Sequence, residues 1–228
     1  MENFRRRKPF TAVYTTQRLS PLMVRNFMRF RKQLFIDRLG WDLEPDGELE
    51  RDQFDHGHAE YGLLLHKGWI VGGFRATPAD KPYLARDVFS HLATERALPT
   101  TDEYWEISRF GVMTEDNPRL QRIAGVANYA MLFEFAARRK MRSLIALADL
   151  TYERYLQRNQ IATIRCGPPQ SHEMGHPDNK IDLIVGEIPV SPDRFQLPEK
   201  FATMQKSLEI YDETLEDGLV RGREAVSA

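Results

Sequence analysis

Thr101-Asp-Glu-Tyr-Trp-Glu-Ile-Ser-Arg-Phe-Gly-Val112 makes two opposing demands. Its centre, Trp105-Glu-Ile-Ser-Arg-Phe110, reads as a strand, because aromatic and β-branched residues suit a pleated, half-buried surface. A charge in a central strand is costly unless it is paired or used, and this one carries Glu106 and Arg109. Strand alternation points those two side chains to opposite faces. Bringing both to one pocket requires a bulge between them, and bulges often lie beside active sites. A structural Glu–Arg pair or an exposed sheet edge would use the same residues, so the flanking chain has to decide.

Upstream, Phe10–Thr16 reads as a first strand. Ser20-Pro21 then opens a helix, with serine suited to the N-cap and proline to the first turn. Met23, Phe27, Phe30 and Leu34 recur near helical spacing up to about Leu39, and Gly40 ends the run. Arg31 and Phe35, four apart, share a face. Residues 41–58 form a long acidic loop containing Trp41 and Phe54, and a structureless loop of that length is uncommon without a role. The two aromatics favour a loop folded over a cavity. Tyr61–Leu65 and Trp69–Arg75 pair through Lys67-Gly68, and Gly72-Gly73 marks a bulge or a close backbone approach. A short helix is expected within 82–92.

Downstream, Asn117-Pro118 sits in a loop before a helix at about 120–139. A strand at 143–148, a helix at 150–157, a strand at 161–166, a long loop at 167–179 and a strand at 181–190 follow. The alternation predicts one α/β domain over 1–190, with a loose basic arm at 1–9. Residues 191–228 read as a linker and a terminal helix over 199–222.

The 32 basic and 33 acidic residues leave a formal charge of −1, so no global field favours nucleic acid. Cys166 is the only cysteine, which excludes an intrachain disulfide and suits a reducing compartment. The basic N-terminus lacks a following apolar run, and no stretch approaches a membrane span. The expectation is a cytoplasmic protein without membrane or nucleic-acid partners. His56-x-His58 and His172-x-x-x-His176 tempt a metal reading, but neither has a third ligand or a convincing helical setting.

Arg122-Ile-Ala-Gly125-Val-Ala127 follows a strand and fits an R-x-x-G-x-A pattern. Small residues and free N–H groups at a helix start would suit a phosphate, and small residues for helix–strand packing explain the pattern equally well. In position and order it resembles the pantetheine-phosphate turn of N-acetyltransferases. Four segments then carry a more specific likeness: Arg31-Lys-Gln-Leu-Phe35 through Trp41, Glu50-Arg-Asp52-Gln-Phe-Asp55, Gly73-Phe-Arg75, and Glu106-Ile-Ser-Arg109. Together they resemble the acyl-homoserine-lactone synthase family, whose signature residues fall on Arg31, Phe35, Trp41, Asp52, Asp55, Arg75, Glu106 and Arg109. The likeness covers about residues 25–190.

That resemblance implies a single-domain, three-layer α/β/α sandwich like the N-acetyltransferases, with a mixed and bulged central sheet. It implies no resident cofactor and no metal. The substrates would be S-adenosylmethionine and an acyl thioester on acyl carrier protein or coenzyme A. The products would be an acyl-homoserine lactone, methylthioadenosine and the free thiol. Glu106 would accept the amine proton, with Arg109 bracing the charges. Arg31, Phe35, Trp41, Asp52, Asp55 and Arg75 would bind S-adenosylmethionine, the acids facing its cationic groups and an arginine its carboxylate. Phe110, Val112, Arg122, Gly125, Ala146 and Ala148 would line the donor path. Alanines in 143–148, where some relatives that prefer 3-oxo chains have threonine, argue against a 3-oxo preference. Arg139, Lys140, Arg142, Arg154 and Arg158 would form a docking face for an acidic carrier, although such a group is more often a plain solvated surface. An acetyltransferase acting on another amine has no reason to keep the acidic loop. A non-catalytic regulator has no reason to keep Glu106 and Arg109.

Overall fold

The computed structural model describes residues 8–115, 117–173 and 180–215. Met1–Arg7 of the basic arm, His176 and the expected helix beyond 215 lie outside these residues. The elements run β1 (Phe10–Thr16), α1 (Pro21–Arg31) continued by a π-helical segment (Lys32–Arg38), β2 (Glu60–His66) and β3 (Trp69–Pro78). Next come α2 (Leu84–Asp87), a 3₁₀ turn (Ser90–Leu92), β4 (Tyr104–Val112), α3 (Pro118–Arg138), β5 (Ser143–Asp149) and α4 (Leu150–Arg158). The chain continues through β6 (Ile164–Arg165), β7 (Gln170–Glu173), β8 (Lys180–Pro189), α5 (Glu199–Lys206) and β9 (Leu208–Asp212).

Among the described residues, nine strands form one mixed sheet in the order β6-β8-β5-β4-β3-β2-β1-β9, with β7 also on β8. Alternation along the strands sends side chains to two apolar layers. Tyr14, Leu64, Phe74, Ile107 and Leu144 pack under α3, α4 and α5. Val13, Tyr61 and Leu63 pack under α1 on the other face. Further along that second face, Ile145 and Val185 pack under α2 and the 3₁₀ turn. The three layers expected from the resemblance are present. Between the two clusters of the second face lies a charged stretch of the sheet that includes Arg75 and Arg109, and the acidic loop folds onto it.

Three local readings change. The helix after Asn117 starts at Pro118, not near 120, because the Asn117 side chain accepts from the Leu120 N–H and proline occupies the first turn. Residues 122–127 therefore lie inside the helix with their amides already used, and they offer no free N–H cluster to a phosphate. The expected strand at 161–166 shrinks to Ile164–Arg165, and part of the following loop becomes β7. The expected terminal helix over 199–222 stops at Lys206. Leu208-Glu-Ile-Tyr-Asp212 then pairs in parallel with β1, burying Leu208 and Asp212 while Glu209 and Tyr211 face solvent. That strand covers an edge that β1 would otherwise expose.

Arg139 is also displaced from its expected role as a docking cation. Its guanidinium is bound to Glu60, to Asp212 and to the Thr214 hydroxyl, and it lies 4.5 Å from the centre of the Phe135 ring. It ties β2 and β9 to the end of α3. Substituting Arg139→Ala would strand two partly buried carboxylates, with an expected loss of about 3 kcal/mol of unfolding free energy in urea titrations. A loss below experimental error would show that β9 is held by its backbone pairing alone.

Candidate active site

Two irregularities in regular elements build the site. The first is in β4. Its register with β3 passes from Ser108↔Arg75 to Gly111↔Gly73, so Arg109 and Phe110 stand opposite the single residue Phe74. Arg109 has φ +53°, a left-handed conformation that costs a non-glycine residue about 1–3 kcal/mol. This bulge turns Arg109 onto the face that already holds Glu106 and Ser108. The second is in α1, whose last turns widen to π-helix at Lys32–Arg38. The widened turns shift the register of the helix just where Arg31 and Phe35 are presented to the site. Arg31 enters the charged layer, while Phe35 packs against Trp41 with ring centres 4.6 Å apart. Gly111 permits this approach, because a Cβ there would lie 2.4 Å from Leu34 Cδ2.

The charged layer is a closed ring of six alternating charges. Arg31 donates through Nε to Glu50 at 2.5 Å, and Glu50 also accepts from Arg109 at 2.9 and 3.0 Å. Arg109 donates to Asp52 at 2.8 Å, and Asp52 accepts from Arg75 at 2.5 and 3.1 Å. Arg75 lies 3.2 Å from Asp55, and Asp55 closes the ring by accepting from both Arg31 amino groups at 2.7 and 2.9 Å. Tyr61 and Ser108 complete it: the Tyr61 hydroxyl donates to Asp55 and Arg75 Nε donates to Ser108 Oγ, each at 3.0 Å. Tyr61, Arg75 and Ser108 are successive cross-strand partners on β2, β3 and β4.

Three arginines offset three acids, which is why so much charge tolerates burial. Burial works against the Asp55 charge, but the Arg31 hydrogen bonds and the charges of Arg31 and Arg75 hold its carboxyl well below the usual range. Burial likewise opposes Asp52 and Glu50, and Arg75 and Arg31 respectively lead the effects that keep both acids low. Each charge-assisted bond contributes about 1.5–3 kcal/mol. The three that Arg109 makes to Glu50 and Asp52 therefore outweigh the strain of its backbone.

Glu106 stands apart from the ring. Its side chain is fully buried, and its two oxygens accept the backbone N–H groups of Leu84 and Ala85 at 3.0 and 2.6 Å. Burial pushes its carboxyl up, partly offset by those amides and by Arg75. The expected bulge exists, but α2 covers Glu106 so that it does not meet Arg109 directly.

Beside the ring the sheet opens. The parallel partners β4 and β5 stay in register from Tyr104↔Ser143 only as far as Ile107↔Ala146, and they part where the bulge begins. A cavity of about 660 Å³ passes through this gap. On the ring side it is lined by Phe35, Trp41, Ser108 and Arg109. On the α3/α4 side it is lined by Phe110, Tyr129, Ala146, Ala148 and Tyr152. The Arg31, Arg75 and Asp55 side chains are fully buried in the wall. Of the ring, Asp52 retains the most exposure, with 19% of its side chain accessible. A second groove, of about 750 Å³, lies between α3, α4 and α5, and Tyr129 and Tyr152 form a wall common to both. Arg122 and Gly125 line this groove, and a Cβ on Gly125 would meet nothing within 4 Å. Val112 lines neither space; its carbonyl accepts from Gln121.

A family model described as autoinducer synthase matches residues 16–196. The chain belongs to the autoinducer synthase family. An acyl-homoserine-lactone synthase from Pseudomonas aeruginosa is 33% identical over 155 residues, 67% of this chain and 75% of the relative. A TofI structure in a ternary complex with an inhibitor and MTA is 28% identical, with a TM-score of 0.66, covering 79% of this chain and 91% of that one. The CoA-dependent acyl-homoserine lactone synthase BjaI, with MTA, superposes at a TM-score of 0.75 and 18% identity, covering 89% and 93%. The architecture is that of the N-acetyltransferases.

Glu50 was not singled out from the sequence, although it lies two residues before Asp52 in the same acidic loop. Its spacing alone does not separate it from the exposed Glu44 and Glu48. Of the five expected docking cations, Lys140, Arg142, Arg154 and Arg158 are exposed, with Arg142 lying 5.8 Å over the Tyr104 ring. His56 contacts the Pro82 carbonyl. No helix among the described residues is long and apolar enough to cross a membrane.

The ring sets the acid stability. Its acids bind fewer protons folded than unfolded, so its contribution is complete above the ordinary carboxylate value near pH ~4 and is lost as the pH falls through the depressed folded values. Arg31→Ala should lower unfolding free energy at neutral pH by about 3–5 kcal/mol and flatten that acid loss. Parallel pH–melting curves for the two proteins would show that the ring is not the acid-sensitive element.

Proposed function

We propose that this chain transfers an acyl group from a thioester to the amine of S-adenosylmethionine and then closes an N-acyl-homoserine lactone, releasing methylthioadenosine. The single observation that carries this reading is the passage between β4 and β5. It joins a charged, aromatic chamber on one face of the sheet to an apolar one on the other. Two substrates of unlike chemistry can then meet at the bulge from opposite sides. Membership of the autoinducer synthase family supports the same assignment.

Trp41 and Phe35 offer faces to a sulfonium, an attraction of about 0.5–2 kcal/mol. Arg109, which lines the chamber, and Asp52, the most exposed acid of the ring, face the amino-acid head. Arg31, Arg75, Asp55 and Glu50 hold those two in place rather than touch substrate, since their own hydrogen bonds occupy them. The amine attacks the thioester carbon only when unprotonated. Glu106 is the acceptor, and burial, which pushes its carboxyl above the ordinary value, favours its taking up a proton. Because α2 shields it, the proton reaches it through water. Bulge amides of Arg109 and Phe110 stabilise the developing oxyanion. The carbon–sulfur bond of the thioester then breaks, giving an amide and a free thiol. In the second step the methionyl carboxylate displaces methylthioadenosine from its own γ-carbon. The donor carrier is an acyl carrier protein or coenzyme A.

Purified protein incubated with S-adenosylmethionine and a panel of acyl donors should release methylthioadenosine together with the lactone; release with no donor in the panel would exclude the assignment. Glu106→Gln should lower kcat about 100-fold and leave KM for S-adenosylmethionine within a few-fold. Unchanged kcat would remove Glu106 from the proton path. Reversing Arg154 and Arg158 to Glu should raise KM for carrier-bound donors without affecting CoA donors. If both donor types respond alike, the docking face lies elsewhere.

A further inference from the structure

Where the acyl chain goes after the bulge can be followed through the register of the sheet. Ile107, Ala146, Gly186 and Arg165 are successive cross-strand partners on β4, β5, β8 and β6. All four line the cavity on the α3/α4 side. Three interstrand steps make this row roughly 14 Å long. Its middle two members have almost no side chain, so the row is a trough running across the strands rather than along them. Ile184 and Ile188, two residues either side of Gly186 on the same strand face, form its walls. Leu156 and Glu153, three apart on α4, close it from above.

The trough ends on an ion pair. Arg165 donates through Nε and a terminal amino group to the two oxygens of Glu153, at 2.7 and 2.6 Å. The Glu153 side chain is 5% exposed and that of Arg165 is 42% exposed, so the pair spans the wall between the trough and solvent. It also holds the two-residue strand β6 against α4.

We propose that this row is the floor of the acyl-chain channel and that the Glu153–Arg165 pair is the stop that sets the longest saturated chain transferred. The proposal rests on the acyltransferase reading above. An alkyl chain fits the apolar floor and walls until its end meets the pair. One more methylene gains far less than separating a two-point ion pair with a buried carboxylate costs, so the channel has a sharp upper limit. Neither residue has a part in the chemistry at the bulge.

The test is kcat/KM across a series of saturated acyl donors of increasing length, for wild type and two variants. Replacing both partners, Glu153→Ala with Arg165→Ala, removes the stop without stranding a charge. It should raise kcat/KM at least about 10-fold for donors just beyond the wild-type limit. Gly186→Ala keeps the pair and raises the floor. Its Cβ would meet the Ile164 carbonyl oxygen at 3.2 Å, a contact that a small shift of β6 relieves. This variant should lose about 10-fold on the longest donor that wild type accepts. Melting temperatures and S-adenosylmethionine binding establish that both variants fold. A folded double variant with the wild-type length profile overturns the stop, and a folded Gly186→Ala with that profile overturns the floor. Absence of methylthioadenosine release by wild type with every donor fails the underlying activity instead, and the two failures are distinguishable.

Discussion

Three guanidinium groups and three carboxylates closed into one neutral ring are what the rest of this molecule is arranged to hold. No pair within it would be stable alone at this depth, because removing a charge from water costs more than one partner returns. Closure changes the balance: Glu50, Asp52 and Asp55 each meet two arginines, and each arginine meets two acids. The members come from α1, the acidic loop, β3 and β4, so the ring fixes how four distant segments meet. It also explains why a loop without regular structure can be well placed. Its residues 50, 52 and 55 are anchored to cations that the sheet and helix already carry.

The same ring accounts for two departures from regular geometry. Arg109 reaches it from a left-handed backbone at the bulge, and Arg31 enters it where α1 passes into π-helix. Each irregularity is unfavourable locally and is held by what it brings together. The bulge has a second consequence. A strand that turns aside at residue 109 cannot keep its parallel partner, and β5 separates from β4 at that point. The charged chamber and the passage through the sheet therefore have one origin. This places the reactive centre of the proposed acyl transfer where the two substrate spaces touch.

The sequence made the strands around this centre legible for physical reasons. Phe10–Thr16, Tyr61–Leu65 and the aromatic core of 104–112 are short apolar, aromatic or β-branched runs of strand length, and two glycines at 72–73 flagged the irregular register. Arg109 was legible as a charge inside an apolar strand, and Arg31, Asp52, Asp55 and Arg75 through the family resemblance. Their connectivity was not, because sequence spacing says nothing about which acid meets which arginine across the sheet. Glu50 escaped for that reason. Arg139 was misread for the converse one: in a run of basic residues, a cation committed to Glu60 and Asp212 looks the same as its exposed neighbours.

The tail shows a different limit. Leu208–Asp212 lies between helix-favouring residues, and its local pattern is too short to announce a strand. Its conformation is decided by the unpaired edge of β1, about two hundred positions earlier, and by the Arg139 bridge to Asp212. Intrinsic propensity is a weak prior that tertiary pairing overrides. The trough under α4 belongs to the same class of feature. Gly186 is unremarkable in its own strand and acquires meaning only when the register aligns it with Ala146 in one row. A channel that crosses strands is invisible to any reading that proceeds along them, whereas one that follows a single helix or strand would have left a periodic trace.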